Sequence, residues 1–533
     1  MEVGDAGWEW MVALVIAVRS SGFSRSGRTP VRRARRSTVE IPGLSFGAPA
    51  ETVQRTVTVS FPSATSSRCL PWAIAWLSTW ISVSAADRPA SAPSLPFEIE
   101  VTEKGTGWPV PQVELETVHH VRFVSDNAGV VAFDLPELMG QETWLTVLAH
   151  GYEVPADGFG YRGVRVTPSR GGKYRLEVIR TQPARLLGRL TGAGLFGESQ
   201  KLGRELQWTE SGVLGCDSVQ NAVWKGRMFW AWGDTLLARY PLGVFDMTGA
   251  TTPLHPLDRF EPPLRLHFEH FRTGTGTVRG IAKMPGAGPT WISGVAVVPD
   301  TNGVERLVAT YQKIQPPLDA YEIGLCVWNE EALEFDRERV LWRKVDGLPR
   351  PERFPDGHPF LATNELGQVS LLFGNPFPTL GCPPSFEAWR DPSRWETLHP
   401  PETLGDVASD NRIRPHSGSV AWNAFRRRWV TVFMQAFGSS SAFGELWYAE
   451  ANSPVGPWGA AVRVATHTNY TCYNPRLHPE FTPPESPVLL FEATFTRDFA
   501  DRAVPVPRHD YNQVLYRLDL ADPALARARV AAP

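Results

Sequence analysis

Between residues 216 and 518 the chain repeats one pattern five times, and this repetition limits its fold more than any other feature. Each segment opens on a polar-flanked strand: Cys216-Asp217-Ser218, Trp291-Ile292-Ser293-Gly294, Gly357-His358-Pro359, His416-Ser417-Gly418 and Tyr473-Asn474-Pro475. A stronger apolar strand follows each opening, at 228–232, 306–311, 369–373, 429–434 and 488–492, with outer strands at 322–328, 445–449 and 513–518. A unit of this kind cannot bury both faces alone, so repeated copies imply a closed ring. The expected fold class is all-β, with a five-bladed β-propeller over 190–520 and a C-terminal tail over 521–533. Composition agrees. The 20 tryptophans, 27 phenylalanines, 46 glycines and 47 prolines suit many short strands joined by turns, and long amphipathic helical patterns are nearly absent.

The first repeat carries the densest chemistry. Residues 215–235 predict a β-hairpin, two aromatic-rich runs about a Lys225-Gly226 turn. With those two residues as the loop, antiparallel pairing sets Asp217 opposite Asp234, with Cβ atoms roughly 5 Å apart. Two carboxylates that close repel, one is driven to hold its proton, and the pair can supply an acid and a base. Strand-end aspartates that bond turn backbone give the same pattern without chemistry.

Ahead of the repeats the chain changes character. Residues 19–36 carry seven arginines and no acid, a composition expected to be disordered. Residues 68–86 combine Arg68, an apolar run and small residues at Val83-Ser84-Ala85, the pattern of a secretory signal peptide. Residues 1–67 then read as a leader or as upstream of the true start, and localisation is expected to be secreted or periplasmic. After a Pro/Ala/Ser linker at 87–96, seven short alternating strands over 97–182 suggest an accessory β-sandwich. Of five cysteines, Cys216 and Cys472 precede strands of the first and last blades. A disulfide between them is one expectation and buried free thiols are the other. Net charge is −3, so no global basic field points to nucleic acid, and no membrane contact is expected once the signal is removed. No spacing of Cys and His suggests zinc. No cofactor is expected, and a calcium ion in the central cavity has no support in the sequence.

Two resemblances follow from these motifs. The stretches Gly107-Trp108-Pro109-Val110-Pro111, Ser125-Asp126-Asn127-Ala128-Gly129 and Ala149-His150-Gly151-Tyr152 resemble carboxypeptidase-regulatory-like accessory domains, which implies a docking or spacing role. The stretch 445–458, from Glu445-Leu446-Trp447-Tyr448 to Gly456-Pro457-Trp458, resembles the blade-four signature of family-43 arabinanases and xylosidases. Asp217-Ser218 followed by Trp232-Gly233-Asp234-Thr235 is similar to the propeller family that includes D-arabinan-degrading endo-arabinanases. The resemblance covers 190–520 and implies a hydrolase whose blade-one Asp is the base, here Asp217. His358 stands where a blade-three Asp would be expected, and His416 where the blade-four Glu would be.

Glycoside hydrolysis needs one carboxyl to protonate the leaving oxygen and another as base or nucleophile. Asp217, Asp234 and Glu492 are the candidate catalytic residues. Ser218, Trp291, His358, His416, Arg414, Tyr473 and Asn474 are candidates for holding an oligo- or polysaccharide. Imidazole at a blade opening serves a sugar hydroxyl, a proton transfer or simply a packed core. Arg412 and Arg414 suit an anionic sugar or a loop salt bridge, and Glu445, at the start of an outer strand, reads as structural. Besides hydrolysis, two readings stay open: a binding or structural propeller that lost its acid, and a lyase using His and Tyr473.

Overall fold

The computed structural model describes residues 95–530, except 245–246, 468–469, 498–499, 501–505 and 507. The leader, the signal segment, Cys69 and most of the linker lie outside the described residues. The described chain is all-β apart from short helical turns.

The strands expected before residue 182 form within a residue or two of their predicted ends, and one extra two-residue strand, Tyr152–Glu153, joins them. They make two four-stranded sheets. In one, Phe97–Glu103 lies between Val130–Phe133 and a parallel neighbour, Lys173–Arg180. The other is built on Glu114–Thr117 and Thr143–Leu148. The apolar residues of both sheets meet in one buried cluster that includes Ile99, Val101, Leu115, Phe133, Leu145 and Val178.

Five further antiparallel sheets of four strands follow. Sheet 1 holds Gln220–Trp224, Arg227–Trp232, Thr248–Pro253 and Glu269–His270. Sheet 2 holds Thr290–Pro299, Glu305–Gln315, Asp319–Asn329 and Glu334–Arg343. Sheet 3 holds Phe360–Thr363, Val369–Gly374, Pro378–Cys382 and Glu396–Thr397. Sheet 4 holds Pro415–Asn423, Arg428–Gln435, Glu445–Ala451 and Val462–Thr466. Sheet 5 takes Thr471–Leu477, Val488–Thr496 and Asn512–Asp519 from the end of the chain and Arg185–Arg189 from before sheet 1. The boundary expected at residue 190 therefore falls after a strand that the repeats need.

The second strands of sheets 1, 4 and 5 read as strongly apolar because they are covered on both faces. Met228 to Trp232 are all at most 1% exposed, and Val430, Val432 and Phe433 are fully buried. A central strand packed between neighbouring layers loses the apolar/polar alternation of a half-exposed one. Each sheet contacts the next. Gln220–Trp224 packs on Thr290–Pro299, joining sheets 1 and 2. Gly294 N donates to Gly357 O (3.0 Å), and Gly418 N donates to Asn375 Oδ1 (2.8 Å). Leu477 N donates to Ser419 Oγ (2.7 Å), and Arg476 Nε donates to Asn221 Oδ1 (3.0 Å), which returns from sheet 5 to sheet 1. No single sheet closes on itself.

The two N-terminal sheets are not spaced away from the other five. All described residues belong to one compact unit. The cluster that fills the N-terminal sheets runs on through Leu186 to Val432, Tyr448, Phe491 and Tyr516 of sheets 4 and 5. Polar ties reinforce it: Arg185 grips Glu103 with two bonds of 2.8 Å, and Asn127 Nδ2 donates to the carbonyls of Arg189 and Leu264. All four described cysteines are free and buried.

Candidate active site at the open end of sheet 1

The hairpin forms in the expected register. Gln220 faces Ala231 and Trp224 faces Arg227. The loop residues Lys225 (φ 49°) and Gly226 (φ 73°) are both left-handed, as a two-residue type I′ turn requires. Beyond the ladder the same register reappears at the Gly215–Leu236 bridge. Asp217 and Asp234 lie between these fixed points and are opposite by register, and Gly233 N donates to Asp217 O (2.7 Å). The Asp217 carboxylate folds over Gly233, where a Cβ would stand 2.0 Å from Oδ1. The Gly-Asp-Thr motif thus has a steric reason for its glycine.

Residues from two other sheets converge here. The Tyr473 hydroxyl, from the opening of sheet 5, donates to Asp217 Oδ2. Trp291 Nε1, from the opening of sheet 2, donates to Asp234 Oδ1 (3.3 Å). Asn474 Nδ2 donates to Ser218 Oγ (2.6 Å), and Ser218 N donates to Thr494 Oγ1 (3.1 Å). Ser218 (φ 49°) and Asn474 (φ 51°) both hold left-handed backbone. For residues other than glycine that conformation costs on the order of 1–3 kcal/mol and gathers at functional sites. Six predicted residues, Asp217, Ser218, Asp234, Trp291, Tyr473 and Asn474, are therefore brought together.

The other four are elsewhere. Glu492 was expected at a strand end reaching the cavity. It stands mid-strand in Val488–Thr496, wholly buried, and its Oε1 is 3.1 Å from His478 Nε2. With no exposed surface it presents nothing to a substrate. His478 in turn meets Asn221 Nδ2 at 3.2 Å. His358 belongs with this interior group: burial, then the nearby charges of Arg476 and His478, hold its pKa well below the ordinary histidine value. His416 lies beside the Phe443 ring (centroids 5.0 Å apart), and burial with Arg414 next to it pushes its pKa down to about 4. Its imidazole is neutral at pH 7. Arg414 is exposed, while Arg412 ties down the Thr403 loop by hydrogen bonds (Nη2 to Thr403 O, 2.8 Å) and not by a salt bridge. Glu445 is buried and receives the Ser439 and Ser440 amides.

One residue went unremarked in the sequence. Asp356 precedes Gly357-His358, and its Cα lies 3.2 Å from where a Cβ on Gly294 would be. Ser293 Oγ accepts from the adjoining Gly357 amide (2.8 Å). The signal was available in Pro355-Asp356-Gly357, a carboxylate at the third opening. Among the described residues no three His, Cys, Asp or Glu side chains gather as they would to hold a metal ion.

No family model matches the chain, and no curated protein does. Among solved structures, an exo-1,5-α-L-arabinanase from a bovine ruminal metagenomic library is similar over 58% of this chain and 94% of its own, with 13% identity and a TM-score of 0.33. The GH43_1 enzyme from Xanthomonas citri is similar over 60% and 91%, with 12% identity and a TM-score of 0.34. An exo-β-1,3-galactanase from Phanerochaete chrysosporium, with β-1,3-galactotriose bound, is similar over 60% and 63%, with 9% identity and a TM-score of 0.35. At these values the likenesses assign neither activity nor substrate to this chain.

Proposed function

We propose that the chain is an exported glycoside hydrolase acting on a polysaccharide, with Asp217 and Asp234 as its working carboxyls. The observation that carries this is the pair itself. Two aspartates opposite by register are each held by a donor from a different sheet, Tyr473 on Asp217 and Trp291 on Asp234. The Tyr473 hydroxyl favours the charged form of Asp217, as a base or nucleophile needs. Asp234, which accepts from the Trp291 indole, is the partner that delivers a proton to the leaving oxygen. Trp291 has its ring half-buried beside Asp234, where a sugar ring could stack, and Ser218 with Asn474 offers hydroxyl and amide groups to its hydroxyls.

The cyclic order of contacts between the five sheets supports reading them as a five-bladed propeller, and the two sheets ahead of them as a β-sandwich. The Asp-Ser and Gly-Asp-Thr resemblance favours an arabinan-like substrate. Asp356 supplies the blade-three carboxylate that the resemblance calls for, two residues before His358. Export follows from the signal-like segment at 68–86.

The test is sugar release from arabinan and from β-1,3-galactan by the wild type and by Asp217→Asn. Release that drops by roughly 10²- to 10⁴-fold supports the assignment. Unchanged release from the variant overturns the role of Asp217. Unsaturated products would replace hydrolysis by a lyase reaction, and binding without release would make the chain a binding protein.

A further inference from the structure

Beside sheet 1, and lined by none of the candidate site residues, is a cavity of about 170 Å³. Its floor is apolar, with Leu190, Leu195, Leu266 and Phe268, and Glu210 and Ser211 stand at its edge. Trp208 walls one side, its ring 4.2 Å from that of His267.

One nitrogen in the cavity lining lacks a partner: His270 has no hydrogen bond at Nδ1, and its ring lies 5.5 Å from that of Trp232 behind it. A buried polar atom without a partner costs on the order of 1–3 kcal/mol, and such atoms are met by ordered water or by a ligand. Burial, with Arg272 nearby, pushes His270 down to about 4, so its ring is neutral at pH 7. Arg272 donates to the carbonyls of Gly276 and Ser211, and the Glu210 carboxylate receives the Gly194 amide.

The combination is selective. An anion would meet the Glu210 carboxylate, and a purely apolar guest would leave the His270 nitrogen unmet. A sugar ring answers both demands, laying its C–H faces on the leucines and Phe268 and turning its hydroxyls to His270 and Glu210. The volume is below the roughly 300–1,000 Å³ of pockets for drug-sized ligands, which limits the guest to about one ring. The cavity is also wired to the Asp217 turn. Thr191, in its wall, accepts from Gln513 N (3.0 Å), and Gln513 Nε2 donates to Thr494 Oγ1 (2.9 Å), the same hydroxyl that receives Ser218 N.

We propose that this cavity is a second sugar-binding site, taking one ring of the polysaccharide away from the bond that is cleaved. It rests on the glycan reading for its ligand class and on no catalytic assignment. The experiment uses the full chain carrying Asp217→Asn, titrated calorimetrically with arabinotriose and with galactotriose. His270→Phe keeps the ring against Trp232 and removes Nδ1, and Glu210→Gln alters only the exposed edge. The expected result is two sugar equivalents bound by the Asp217→Asn chain and one when His270→Phe is added, with Glu210→Gln weakening the second site about tenfold. Stoichiometry and affinity unchanged by both substitutions would overturn the proposal, as would a single equivalent bound throughout. If His270→Phe does not fold, Glu210→Gln decides alone. Binding that depends on His270 or Glu210 in a chain that releases no sugar would sink the hydrolase reading and leave this site standing. Hydrolysis without such binding would do the reverse.

Discussion

Asp217 is held by Gly233 and by Tyr473, and each hold can be removed separately. Gly233 is not in left-handed backbone, so alanine is conformationally acceptable there, yet its Cβ would stand 2.0 Å from Asp217 Oδ1. Gly233→Ala should displace the carboxylate and cut kcat by at least tenfold while the melting temperature moves little. Parallel thermal and kinetic measurements check this. Tyr473→Phe removes one hydrogen bond to a charged group, worth about 1.5–3 kcal/mol, which corresponds to a loss of roughly ten- to a hundredfold. The loss should fall on kcat more than on KM, because the hydroxyl touches the carboxylate and not a sugar hydroxyl. The hairpin that brings these residues together was readable because its turn is two residues long and its register is fixed by counting. The carboxylate's partners were not readable: Tyr473 and Trp291 lie 256 and 57 residues from the aspartates they meet.

At the scale of the strand and sheet, the seam between sheets 5 and 1 is polar. Glu492, His478, Asn221 and Arg476 form one buried chain of contacts, with Glu492 and His478 both fully covered. Breaking a buried charged network by removing one partner typically costs about 3–5 kcal/mol. Glu492→Leu should therefore lower the urea midpoint markedly, whereas Glu492→Gln, which still accepts from His478, should lower it less and leave kcat near the wild-type value. A large loss of kcat in a stable Glu492→Gln protein would return Glu492 to the catalytic set. The sequence ranked this glutamate as a candidate because a carboxylate near a strand end can point into a cavity. The strand runs four residues further than expected, to Thr496, and that length converts an end into a middle.

For the whole molecule, histidine burial sets the response to pH. His150, His270 and His416 are pushed down to about 4 by burial, and His358, His467 and His509 lie well below their ordinary value for the same first reason. The unfolded chain binds protons at these groups near pH 6.5 and the folded chain does not, so stability is complete above about 6.5 and declines as pH falls toward 4. Each proton taken up on unfolding contributes a slope of about 1.4 kcal/mol per pH unit. Melting temperature against pH between 7 and 4 should fall continuously, and a flat profile would contradict the burial. The stacked pair His150 and His467, 4.7 Å apart, lies where the N-terminal sheets meet sheets 4 and 5, with the Tyr516 hydroxyl on His150. Removing residues 95–182 should leave an aggregation-prone remainder, since it uncovers the shared apolar cluster around Leu186, Phe491 and Tyr516. Size-exclusion chromatography of the truncated chain tests this.

The sequence by itself determined the all-β class, the strands of the N-terminal sheets and the register of the first hairpin. Alternation, turn residues and loop length act over a few neighbours and need no knowledge of the rest of the chain. It also drew attention to the five openings, since polar residues ahead of apolar strands recur regardless of where the strands go. Only the tertiary structure decided which opening residues meet. It gathered Asp217, Asp234, Tyr473, Trp291, Ser218 and Asn474, buried Glu492 and His358 in the interior, and joined Arg185–Arg189 to the last sheet. Those outcomes depend on contacts between segments up to hundreds of residues apart, and local pattern carries no record of such distances.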